Sequence, residues 1–78
     1  MSKRDIYREA KRQGLEIVEY ERGHSGPAQT FDTSGYWYEV TTRDPDGFEE
    51  IHTDSKQFVL EGIRRHGETY RAALGGPQ

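Results

Sequence analysis

The sequence predicts a small α+β domain of order α-β-β-β-α, a three-stranded antiparallel sheet with both helices on one face. Three features carry that expectation. Apolar residues recur at helical spacing near both ends of the chain. The stretch between them alternates and is rich in aromatic and β-branched residues. Asp44-Pro45-Asp46-Gly47 sits between two such runs, where proline fixes φ for a turn and glycine takes the left-handed position that follows. Each helix has only one apolar stripe to bury, so both are expected against the same side of the sheet.

The elements follow in chain order. Residues 3–13 read as a helix, with Ile6 and Ala10 four apart, Tyr7 alongside, and Ser2 and Asp5 as N-terminal capping partners. Gly14 stands where a left-handed residue ends a helix. Leu15 to Arg22 alternate as a strand. Residues 23–35, GHSGPAQTFDTSG, read as a long loop. Tyr36 to Arg43 and Phe48 to Thr53 are the two arms of a hairpin. Asp54 or Ser55 starts a second helix whose face runs through Val59, Ile63, His66, Tyr70 and Leu74. Along it, Gly62 permits close approach to the sheet, Gly67 is a point where the helix can break, and Gly75-Gly76-Pro77 ends it. The expected core is Ile6, Val18, Tyr38, Val40, Ile51, Phe58, Val59 and Ile63.

Size and composition narrow the function classes. The chain has 78 residues and no cysteine. It is expected to form one domain over residues 1–78, without disulfides or a cysteine-ligated metal. No apolar run approaches a membrane span, and the opening MSKRDIYREAKRQG lacks the apolar stretch of a secretory signal. A cytoplasmic protein without membrane contact is the expectation. Eleven bases against fourteen acids give a net charge of −3. The distribution is uneven. Residues 1–14 carry five bases and two acids, residues 15–54 two bases and ten acids, and residues 55–78 four bases and two acids. The helices are therefore basic, and the region between them is acidic.

No established catalytic motif is present, and no cofactor is implied. The three histidines, His24, His52 and His66, lie on the loop, the third strand and the second helix, without metal-motif spacing. His66 is expected to pack within the apolar stripe, and His52 to be a partly exposed strand residue. His24 is the one candidate general base, because a glycine-rich loop can present it to a substrate. On the hairpin, Tyr38 and Val40 share one side while Trp37 and Glu39 share the other. If Tyr38 and Val40 face the helices, Trp37 stands on the open face. Glu49 or Glu50 joins it there, according to whether Ile51 points outward or inward. Trp37, Glu39, Asp46, Glu49 and Glu50 are thus candidate protein-binding residues. Arg4, Arg8, Lys11, Arg12, Arg64 and Arg65 are candidate phosphate-binding residues in the helical layer.

Two resemblances bear on these candidates. RDIYREAKRQGLEIVEYERGH, residues 4–24, resembles the opening of HicA-type toxins and related small phage proteins: a helix, a glycine, a strand and a turn histidine. That resemblance implies a fold like that of double-stranded-RNA-binding domains, and an RNA-directed ribonuclease with His24 as catalyst. Residues 35–66 resemble the three-stranded arm-site DNA-binding domains of phage integrases. Two functions are expected from these readings. One is a non-enzymatic binding module, a phage-type accessory or inhibitor protein, that docks its acidic hairpin face on a protein partner. The other is RNA binding or cleavage through the helix bases and His24. An unpaired strand edge also leaves homodimerisation open.

Overall fold

The computed structural model describes residues 2–24 and 36–75, with the side chains of Ser2, His24 and Tyr36 outside that description. The element order is α1 (Ser2–Gln13), β1 (Glu16–His24), β2 (Tyr36–Arg43), β3 (Glu49–Asp54) and α2 (Lys56–Gly75). The strands form one antiparallel sheet in the order β1-β2-β3. Both helices lie on the same side of it. Tyr7 of α1 packs its ring 5.8 Å from Tyr20, which in turn lies 6.3 Å from Tyr38. From the same side of β2, Thr42 hydrogen-bonds His66 of α2.

The core is Ile6, Ala10, Leu15, Tyr38, Val40, Val59 and Ile63. Three residues expected in it are elsewhere. Ile51 is 64% exposed and Phe58 is 47% exposed. Val18 is half-buried at a bulge in β1, where Ile17 pairs with Thr42 and Glu19 with Thr41. The bulge reconciles the apolar run Leu15-Glu16-Ile17-Val18 with a one-sided sheet. It absorbs one residue, so that Ile17 and Tyr20 both reach the helix side. Ile51 pairs with Thr41, on the side opposite Val40. The period-two alternation therefore sends Ile51 outward and its neighbour His52 inward.

Two boundaries also differ from expectation, and Asp5 makes a contact the sequence does not predict. β1 continues through Gly23 and His24, paired with Trp37 and Tyr36, so these two residues belong to the strand and not to the expected 23–35 loop. Its remainder, residues 25–35, lies outside the described residues. Asp5 bonds Lys56 at the start of α2, at 2.6 Å. Finally, α2 runs unbroken through Gly67. A β-carbon at Gly67 would meet Gln13 Oε1 at 2.5 Å and Gln13 Cβ at 2.7 Å, so this glycine allows α1 and α2 to approach closely.

Glu9 is buried beside that contact. It accepts hydrogen bonds from Arg12 at 2.6 Å and Gln13 at 2.8 Å, and Arg64 of α2 lies 3.4 Å away. Burial alone would raise its pKa. The bonds from Gln13 and Arg12 and the charges of Arg12 and Arg64 outweigh that and hold it below 4.5. A carboxylate depressed in the folded state contributes stability above its unfolded pKa, and that stability is lost as pH falls through the folded value. Urea midpoints measured as a function of pH are therefore expected to fall below about pH 4.5. Glu9→Gln should lower the midpoint at pH 7 and flatten that fall. Gly67→Ala separates two opposing effects. Helix propensity alone would stabilise it by about 1 kcal/mol. Overpacking against Gln13 should destabilise by about 1–3 kcal/mol and decide the sign, which urea denaturation would read as a net loss.

Candidate functional site

The register of the sheet divides its residues into cross-strand rows. On the uncovered face, these rows are Glu16–Arg43–Glu49, Glu19–Thr41–Ile51, Glu21–Glu39–Thr53 and Gly23–Trp37. On the helix face they are Ile17–Thr42–Glu50, Tyr20–Val40–His52 and Arg22–Tyr38–Asp54. Trp37, Glu39 and Glu49 are thus brought to one face, and Glu50 is not. Because Ile51 points outward, Glu50 shares the helix side with His52. Asp46 is exposed in the β2–β3 turn, at the far end of the ribbon from Trp37, roughly 20 Å away by strand rise.

On the uncovered face, Trp37 is half-buried. A β-carbon on Gly23 would lie 2.7 Å from its indole, so the ring covers that glycine and stays partly open to solvent. Five glutamates and one arginine, Arg43, occupy the described rows of this face. Arg43 donates to Glu49 at 2.7 and 2.9 Å and lies 3.8 Å from Glu16. Glu21 and Glu39 stand directly opposite each other. Across the molecule, Arg4, Arg8, Lys11, Arg12, Arg64 and Arg65 are exposed in the helical layer. Arg12 and Arg64 are engaged by Glu9. The sequence reading of a basic helical layer and an acidic ribbon holds in three dimensions. The side chain of His24, the candidate base, lies outside the described residues.

A second constellation lies beneath α2. His52, expected to be partly exposed, is buried, as are His66, Thr42 and Asp44. The Thr42 hydroxyl bridges two imidazoles, 2.9 Å from His52 Nε2 and 2.7 Å from His66 Nδ1. On its other side, His66 Nε2 lies 3.4 Å from Asp44 Oδ2. Asp44 is itself held by the turn, since its Oδ1 accepts from the backbone N–H groups of Asp46 and Phe48 at 2.9 and 3.0 Å. Gly62 makes room for His52, because a β-carbon there would meet His52 Nδ1 at 2.5 Å. Glu50 Oε1 approaches His66 Nδ1 to 3.8 Å.

One proton assignment satisfies the chain. His66 Nε2–H points to Asp44, the Thr42 O–H donates to His66 Nδ1, and His52 Nε2–H donates to the Thr42 oxygen. Burial lowers the His52 pKa and His66 and Arg65 add to that, while the Glu50 carboxylate opposes it. The Asp–His–Thr order is that of a nucleophilic triad. Thr42 is fully buried, however, so its hydroxyl is presented to no substrate in this conformation.

The signals for this cluster were faint in the sequence. The four residues have no motif spacing, and His52 turns inward only because Ile51 turns outward. Comparison with known protein families, curated proteins and solved structures returned no match. The bridging hydroxyl is directly testable. Thr42→Val keeps the shape but leaves two buried imidazole nitrogens without their partner. It is expected to destabilise by about 1–3 kcal/mol in urea unfolding, with Thr42→Ser closer to wild type.

Proposed function

We propose that this protein is a non-enzymatic binding module whose uncovered sheet face docks on a basic protein surface, such as the nucleic-acid-binding surface of a partner. The pairing of Glu21 opposite Glu39 is the observation that carries this reading. Like charges directly across a strand pair are destabilising. Their juxtaposition beside Glu19, on a face whose described arginine is already engaged by Glu49, is accounted for by a cationic partner. Trp37 and the exposed Ile51 supply apolar area within this acidic field, the composition of an anchor surrounded by steering charge. Carboxylates spaced along a ribbon also present negative charge to a surface that would otherwise hold phosphates. An accessory or inhibitor role of the phage type is consistent with such mimicry.

A second reading, RNA binding, is favoured by the exposed bases of the helical layer. It competes with the ion pairs Lys56–Asp5 and Arg12–Glu9, which neutralise part of that layer. One NMR titration separates the two. A short lysine- and arginine-rich peptide is expected to shift amide signals of Glu19, Glu21, Glu39, Ile51 and Thr53, with an effect that fades at high salt. The double variant Glu21→Lys/Glu39→Lys should lose it while remaining folded. Peptide shifts confined to the helices would reject the docking face. Salt-sensitive binding of single-stranded RNA at Arg4, Arg8 and Lys11, without a peptide response at the sheet, would establish the second reading instead.

A further inference from the structure

Beneath α2, the geometry points to a transition-metal site formed by Glu50, His52 and His66, one that takes a borderline divalent ion such as zinc. This goes beyond the docking role and involves the opposite face of the sheet. One donor atom from each of the three residues lies within 4.8 Å of the other two. Of these, His66 Nδ1 lies 3.8 Å from Glu50 Oε1. Donors at about 2.0–2.1 Å from a tetrahedral ion stand roughly 3.3–3.5 Å apart, so small side-chain movements close the site. Two imidazoles and one carboxylate form the donor set of catalytic-type zinc centres, which keep a fourth position for water.

Three further features support a metal here. The first is electron-rich convergence. His66 Nδ1, whose lone pair accepts from the Thr42 hydroxyl at 2.7 Å, and the Glu50 carboxylate oxygen are both metal-ligating atoms and stand 3.8 Å apart. A cation that takes the place of the Thr42 O–H can engage both atoms at once. The second is support behind the ligand. His66 directs its other nitrogen, Nε2, toward Asp44 Oδ2 at 3.4 Å, and Asp44 is fixed by two backbone N–H groups. A carboxylate behind a metal-bound histidine fixes its tautomer and raises its basicity. The third is access with restraint. His52 and His66 are buried and held, the former against Gly62, whereas the Glu50 side chain is about half exposed. An ion can therefore enter from the Glu50 side and meet His66 Nδ1 and, once the His52 ring proton is carried on Nδ1, His52 Nε2. On binding, the Thr42 hydroxyl gives up its contacts with the two ligating nitrogens.

The test uses the full chain, freed of metal with chelator and titrated with zinc or cobalt. One equivalent of cobalt is expected to produce the visible ligand-field absorption of a four-coordinate nitrogen–oxygen site. Zinc should displace it and raise the thermal midpoint. Glu50→Gln removes an exposed ligand without touching the core and is expected to weaken cobalt affinity at least tenfold, with unchanged far-ultraviolet circular dichroism. Asp44→Asn keeps an oxygen for the turn and should weaken binding by roughly 10–100-fold. Absence of cobalt absorption and of a zinc-induced thermal shift in the wild-type protein would overturn the site. So would binding of undiminished affinity in a folded Glu50→Gln variant, which would locate the ion elsewhere.

Discussion

The central strand β2 alternates between two environments, and this constraint governs the molecule. It is paired on both sides, with β1 and β3, so its register cannot slip without breaking two ladders. Tyr38, Val40 and Thr42 go under the helices, while Trp37, Glu39, Thr41 and Arg43 go to the uncovered face. Each neighbouring strand inherits that division through its pairing. The apolar covering of Ile6, Ala10, Val59 and Ile63 is then required on one side only. The acidic surface and the buried histidine cluster are consequences of one alternation, displayed on opposite faces.

The helix side is unusually polar for so small a core. At the α1–α2 contact, Glu9 is buried with two hydrogen-bond donors, Arg12 and Gln13, beside a glycine that brings the helices together. Farther along α2, Thr42 bridges His52 and His66, and Asp44 joins the β-turn to His66. Buried polar groups destabilise unless partnered, and partnered networks specify a unique arrangement. Here they fix the position of α2 along the sheet. Ile63 and Val59 alone would tolerate sliding, since apolar contact is not directional. The turn residue Asp44 therefore links the hairpin to the helix packed across it, and a local motif becomes a tertiary restraint.

Charge is divided as sharply as polarity. Nine of the eleven bases belong to the two helices, and five glutamates belong to the described rows of the uncovered sheet face. Such a dipolar surface steers partners of opposite sign to opposite sides. Among the described residues, no helix is long and apolar enough to cross a membrane. The molecule thus offers an acidic ribbon with two apolar side chains, and a basic layer partly neutralised by its own ion pairs.

The sequence by itself determined the element order, the hairpin turn and the separation of charge, because these depend on local spacing. Pro45 and Gly47 favour a turn through their own backbone preferences, and Tyr38 and Val40 share a side in any strand. It placed Trp37 and Glu39 opposite the helices on the same ground. It left Glu49 and Glu50 as alternatives, since β3 carries no apolar alternation strong enough to choose between Ile51 and His52. Only the tertiary structure made that choice. Burying His52 provides a hydrogen bond to Thr42 and a fit against Gly62, and neither partner is near it in the chain. Long-range side-chain pairing has no period along the sequence. That is why the residues that converge beneath α2 were invisible until the helices were set on the sheet.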